Sequence, residues 1–250
     1  MLSILLPAAR RTAPGEDPQA VWGDLRVALA SIAAYAPEAE VVVGWAGTER
    51  PADLPRNPRM RLLEQEPGIT TGSEAWNWCS RQTDAEELLI LGDDCVLHPD
   101  TVRLMDEDRK LIAHLAPQAR TGFLGARSNY VKGPQNIRAA NGGERAGIVF
   151  DSEAGLFETD MIVPVAAWIR HDVFDLTGGF PPTNWFADDL MSWDLVRMGF
   201  THYISRAYVH HVGQRATGQG RSSDVLLQEG LDWLRAHRPD FLTQKLNVPA

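Results

Sequence analysis

Hydrophobic residues along the chain fall into two patterns. Short runs at residues 3–7, 41–43, 60–63 and 88–91 are too brief for helices and read as strands, and the continuous apolar run at 88–91 matches a strand buried on both faces of a parallel sheet. Between the first two runs, Val21, Leu25, Ala28, Leu29 and Ile32 recur at helical spacing and mark the packed face of a helix predicted over residues 18–35. A second helix is predicted over 74–81. Strands alternating with helices imply a parallel, right-handed, Rossmann-like half.

The second half is less regular. Its predicted elements are a helix over 101–115, a strand over 122–125, a strand-like apolar run over 161–169, a helix over 190–198 ended by Gly199, a strand over 201–209 and a terminal helix over 225–236. Residues 129–146 hold too many Gly, Asn and charged positions for a core element and read as a loop near the site or a lid. With no internal repeat and no low-complexity linker, one compact α/β domain is expected, spanning 1–250. Within it, residues 1–100 form one half, 101–217 the other and 218–250 a C-terminal helix and tail.

Composition narrows the class. A hydrophobic fraction of 44% over 250 residues supplies ample core, and a formal net charge of -9 argues against a general nucleic-acid binder. Cys79 and Cys95 are too few for a disulfide scaffold and are expected to be reduced thiols in a cytoplasmic protein. The apolar start precedes Arg10 and Arg11, the wrong order for a signal peptide, and no apolar stretch approaches the length of a membrane span.

Candidate chemistry begins where the fourth strand stops. Gly92 is followed by Asp93 and Asp94, at a carboxyl end of a strand, where open α/β sheets place their ligand crevice. Two adjacent carboxylates accept a hard cation such as Mg²⁺ or Mn²⁺, completed by substrate phosphates. The bland alternative makes Asp93 a helix cap and leaves Asp94 solvated in a turn. A second acidic pair, Asp188 and Asp189, stands at a predicted helix start beside Trp185 and Phe186. Partial desolvation there would raise one carboxylate's pKa and suit it to take a proton from a hydroxyl. His210 and His211 end a strand; an imidazole there would complete a cation's coordination, and Arg215 would offset phosphate charge.

The collinear order Ser3-Ile4-Leu5-Leu6-Pro7, Gly72-x-x-x-x-Asn77, Leu91-Gly92-Asp93-Asp94, Gly178-Gly179-Phe180 with Asp188-Asp189, and His211-x-Gly213 resembles family 2 glycosyltransferases of the GT-A fold. The segment Ser128-Asn129-Tyr130-Val131-Lys132-Gly133-Pro134-Gln135 is similar to one found in many bacterial members. The resemblance covers roughly residues 1–217. It implies a GT-A, Rossmann-like, mostly parallel mixed sheet flanked by helices. It also implies metal-dependent, inverting transfer of a sugar from a nucleoside-diphosphate sugar to an acceptor hydroxyl. Residue by residue, Asp94 would be the principal metal aspartate, His211 a metal or diphosphate ligand, and Asp93 a neighbour of the donor ribose or sugar. Asp189, or Asp188 before it, would be the general base. Pro7, Ala9, Arg10, Asn77 and Arg215 would border the nucleotide.

The chain departs from the family at the base-reading positions. Ala8-Ala9-Arg10 stands where Tyr-Asn is common, and Gly44-Trp45-Ala46-Gly47 lacks the aspartate that often reads uracil. Trp45 would stack on a base instead, or belong to the core. The spacing from Asp189 to Gly199 is one residue shorter than the common pattern, which leaves the base open between the two aspartates. Two other readings are a nucleotidyltransferase that forms nucleotide sugars and a non-catalytic glycan- or nucleotide-binding relative. The first lacks its glycine-rich loop, since no glycine follows the first strand until Gly15. The acceptor is open among glycan, lipid-linked sugar, protein, metabolite and modified nucleic acid.

Overall fold

A computed structural model describes residues 1–10, 17, 19–47, 49–137, 155–213 and 222–248. The first half follows the sequence closely. Strand β1 (Leu2–Arg10) leads through helix α1 (Gly23–Tyr35) to β2 (Glu40–Gly47) and β3 (Met60–Glu64), then through helix α2 (Gly72–Ser80) to β4 (Glu87–Leu91). These four strands are parallel, in the order β3-β2-β1-β4. Their residues alternate between two buried faces. Ile4, Leu6, Val41, Val43, Leu89 and Leu91 pack towards Leu25, Leu29 and Ile32 of α1, whereas Leu5, Val42, Leu88 and Ile90 pack towards Trp78 and Cys79 of α2. Both faces being covered explains why β1, β2 and β4 read as apolar runs, whereas β3 at the sheet edge is half-buried and carries exposed Arg61.

After β4 come a short strand β5 (Cys95–Leu97), helix α3 (Thr101–Leu115), β6 (Arg120–Ser128), β7 (Phe157–Thr159), β8 (Ala166–Arg170) and helix α4 (His171–Leu176). Helix α5 (Ala187–Arg197), β9 (Phe200–His211), α6 (Ser223–His237) and α7 (Pro239–Gln244) complete the chain. β8 enters antiparallel beside β4, and the sheet continues β8-β6-β9-β5, with β7 also on β9. β6 and β9 are parallel, so the sheet is mixed, with helices on both faces. α6 and α7 close a third cluster, in which Leu234, Phe241 and Leu242 bury Leu190 of α5.

One prediction needs correction. The apolar run at 161–169 is only partly strand, since β8 begins at Ala166. Pro164 interrupts it, and the preceding amides bond side chains instead of a neighbouring strand: Ile162 N–H donates to Ser192 Oγ (3.2 Å) and Val163 N–H to Gln135 Oε1 (2.7 Å). Strands β5 and β7, each three residues long, were too short for any periodicity to show. Of the predicted loop at 129–146, residues 138–146 lie outside the described residues, as do Arg215 and the Arg10 side chain.

Candidate active site

The β4–β5 turn and the end of β9 form the first part of the site. β5 pairs antiparallel with β9 in the register Cys95↔His211, and Val212 N–H donates to the Asp94 carbonyl oxygen (3.0 Å). This pairing sets His211 beside Asp94, with Nε2 3.4 Å from Oδ2. The other imidazole nitrogen, Nδ1, hydrogen-bonds the Tyr130 carbonyl oxygen, which requires Nδ1–H and leaves Nε2 to face the carboxylate. Burial lowers the His211 pKa, but the bond and charge of Asp94, with the Tyr130 carbonyl and Asp93, outweigh it and raise the net value. Asp93 and Asp94 are both buried.

A cation with bonds of about 2.0–2.1 Å separates two adjacent ligand atoms by about 3 Å, so the Asp94–His211 spacing fits two ligands of one ion. The donor set of one carboxylate and one imidazole, with Asp93 alongside, suits Mg²⁺ or Mn²⁺ completed by phosphate oxygens. The Cys95 thiol also lies in this group, all three ligand atoms falling within 4.8 Å of one another. Burial, followed by the charges of Asp94 and Asp93, pushes that thiol well above its usual range.

The second part is the start of α5. Asp188 and Asp189 occupy its first turn, where carboxylates favour the helix dipole, and Phe186 before them adopts a left-handed conformation (φ 70°). Lys132 Nζ donates to Asp189 Oδ2 (2.6 Å) and stands 3.3 Å from Asp188 Oδ2. Asp188 and Asp189 are only 17% and 20% exposed. Burial raises the Asp188 pKa, Lys132 opposes the rise and the Asp189 charge adds to it.

The segment that joins the two parts lies in the stretch expected to be a loop near the site or a lid, though the sequence assigns none of its residues an individual role. Asn129 clasps the end of β9 twice: its Nδ2 donates to the His211 carbonyl oxygen (3.0 Å) and His211 N–H donates to its Oδ1 (2.8 Å). Tyr130 supplies the carbonyl for His211 Nδ1, and its ring lies 5.6 Å from the imidazole. Two residues on, Lys132 reaches the acidic pair. Buried Gln135 pins the far end, its Nε2 donating to the carbonyl oxygens of Ala126 (2.8 Å) and Val163 (3.2 Å). The quoted motif was the available signal, but nothing in it separated ligand-facing residues from anchors.

The remaining expected site residues lie as follows. Asn77 spends both ends of its amide on Phe180: Nδ2 donates to the carbonyl oxygen (2.7 Å) and Phe180 N–H donates to Oδ1 (2.8 Å). Gly179 (φ +82°) is obligatory beside it, since a Cβ there would stand 2.5 Å from Asn77 Oδ1. Asn77 thus fixes the loop leading to the acidic pair. Trp45 is 9% exposed within the core, the alternative weighed from the sequence. Pro7 is half-buried and Ala9 exposed at the carboxyl end of β1.

No protein-family model and no curated protein sequence matches the chain. Solved structures do match in fold. S. aureus TarS in complex with UDP-GlcNAc superposes with a TM-score of 0.56 at 15% identity, over 98% of this chain and 71% of that one. The fold is that of the GT-A glycosyltransferases. TarS residues 1–349 with UDP give 0.54 at 14% identity, over 98% of this chain and 75% of that one. Mannosyltransferase PcManGT from Pyrobaculum calidifontis, in complex with GDP-Man and Mn²⁺, gives 0.56 at 17% identity, over 86% of this chain and 57% of that one. In this GT-A chain, no helix among the described residues is long and apolar enough to cross a membrane.

Proposed function

We propose that the chain is a metal-dependent, inverting glycosyltransferase that moves a sugar from a nucleoside-diphosphate donor to an acceptor hydroxyl. The observation that carries this is the Asn129–Lys132 segment, which ties the Asp94–His211 pair to the Asp188–Asp189 pair within four residues of chain. The consecutive Cα spacing of about 3.8 Å keeps Tyr130 and Lys132 within about 7.6 Å of each other. The solved structures of like fold with UDP-GlcNAc and with GDP-Man and Mn²⁺ support the donor class.

Asp94 and His211 would hold Mg²⁺ or Mn²⁺, which when bound offsets the charge growing on the departing diphosphate. Asp93 lies beside them towards the donor. Asp189, with Asp188 behind it, accepts the proton of the acceptor hydroxyl as its oxygen bonds the anomeric carbon. The diphosphate leaves from the opposite face, so the anomeric centre inverts. Lys132 keeps negative charge on the acidic pair, and His211 stays oriented through Tyr130.

Thermal stability with UDP or GDP, each with and without Mn²⁺, tests this reading. Binding to the native state alone adds about 2.7 kcal/mol at a hundredfold the dissociation constant. A Mn²⁺-dependent shift for one nucleotide, lost in Asp94→Ala, is the expected result. No shift with any nucleotide and metal would remove the transfer chemistry and leave a GT-A-like binding module.

A further inference from the structure

Cys95 has no part in the proposed transfer, yet its thiol converges on the same point as the Asp94 carboxylate and the His211 imidazole. Sγ lies 3.8 Å from Asp94 Oδ1, His211 Nε2 lies 3.4 Å from Asp94 Oδ2, and all three donors fall within 4.8 Å of one another. Gly92 shows the convergence independently. A Cβ on Gly92 would stand 3.0 Å from Asp94 Oδ1 and 3.0 Å from Cys95 Sγ, so the absence of a side chain there leaves both atoms facing one small space.

The geometry points to a second occupant of this site: a thiophilic divalent cation of the Zn²⁺ type, held by Asp94, Cys95 and His211 and competing with Mg²⁺ or Mn²⁺. Carboxylate, thiolate and imidazole together form a zinc-type donor set, whereas hard cations take oxygen ligands and have no use for sulfur. Tetrahedral bonds of about 2.3 Å to sulfur and 2.0–2.1 Å to nitrogen and oxygen place donor atoms about 3.3–3.6 Å apart. Sγ and Nε2 approach different oxygens of Asp94 (Oδ1 and Oδ2), and with one donor from each residue inside 4.8 Å, small side-chain rotations close the set on one ion. The cross-strand pair Cys95↔His211 fixes two of the ligands, and Tyr130 orients the imidazole. On binding, the thiol gives its proton to solvent as the metal–sulfur bond forms; no oxidant or reductant enters. Three protein ligands leave the fourth position open. The coordination stands on the residues alone; that such an ion inhibits sugar transfer rests on the proposed function.

Co²⁺ is the probe, because a cobalt–thiolate bond absorbs in the near ultraviolet. Titration of the full chain is expected to raise that band at one equivalent and to lose it on adding Zn²⁺. The band should persist in Cys79→Ser, whose thiol is packed in the opposite core cluster, and vanish in Cys95→Ser and Cys95→Ala. A wild-type protein without the band, or a band that survives loss of the Cys95 sulfur, overturns the proposal, and the first result needs no variant to fold. Nucleotide-dependent thermal shifts with Mn²⁺ are read separately. A cobalt–thiolate band without any nucleotide shift keeps this site and removes the transfer reading; a nucleotide shift without the band does the reverse.

Discussion

Lys132 is the cation that faces the acidic pair, and its Nζ divides between Asp189 at 2.6 Å and Asp188 at 3.3 Å. Burial already lifts the Asp188 pKa and Lys132 opposes that rise, so removing the ammonium lets the pair hold a proton to higher pH. In Lys132→Met the acid limb of kcat/KM against pH is therefore expected to move to higher pH, with Lys132→Arg restoring it. An unmoved limb would show that the pair does not titrate in the reaction. Under the proposed transfer, Asp189→Asn removes the proton acceptor while keeping its shape. Loss of the base predicts a fall in kcat of about 10²–10⁴-fold with nucleotide affinity retained, measured by turnover and by thermal shift. The aspartates and His211 were legible because runs of carboxylates and imidazoles at strand and helix ends are chemically unusual. Lys132 was not, since a single lysine in a Gly- and Asn-rich loop has no pattern until the fold shows what it faces.

At the scale of elements, the start of α5 depends on packing remote in sequence. Phe186 precedes the acidic pair in a left-handed conformation, a strain of roughly 1–3 kcal/mol that surrounding contacts must hold. α6 supplies them: a Cβ on Gly230 would lie 2.8 Å from Trp185 Cβ and 3.0 Å from Phe186 Cδ2. Gly230→Val should overpack this contact, cost about 1–3 kcal/mol and lower kcat through the displaced acidic pair, read by denaturant unfolding and turnover. Asn77→Ala acts on the same loop from the other side, removing two hydrogen bonds to Phe180. It should also cost about 1–3 kcal/mol, because a buried backbone N–H loses its acceptor. Neither effect was readable from periodicity. The apolar spacing of residues 225–236 predicted a helix, and α6 forms there, but not which surface it covers. The helix at 101–115 was placed correctly because strong amphipathic spacing decides it alone. The run at 161–169 misled because apolar composition does not show where backbone amides find their partners.

The site exists at the scale of the whole molecule because one strand spans the sheet's length. β9 pairs β6 from Phe200 to Val209, β7 over His202–Ile204 and β5 over Val209–His211, so His211 reaches a turn more than a hundred residues earlier in the chain. The first half was legible as alternating runs, since local helices join parallel strands. The return of β9 to β5 was not, since it rests on three residue pairs of long sequence separation. Asn129 is the fastener between that strand end and the segment carrying Tyr130 and Lys132, with two hydrogen bonds to the His211 backbone. Asn129→Ala leaves a buried N–H and a carbonyl unsatisfied, at about 1–3 kcal/mol, which for a chain of this size lowers Tm by about 2–4 °C per kcal/mol. Its functional effect should be wider than that of either acidic variant. If the segment couples the two halves, Mn²⁺-dependent nucleotide binding and turnover both weaken, whereas Asp189→Asn loses turnover alone. Asn129→Ala with full nucleotide binding and full turnover would mean that the metal pair and the acidic pair are positioned independently, and that the segment between them is only a loop.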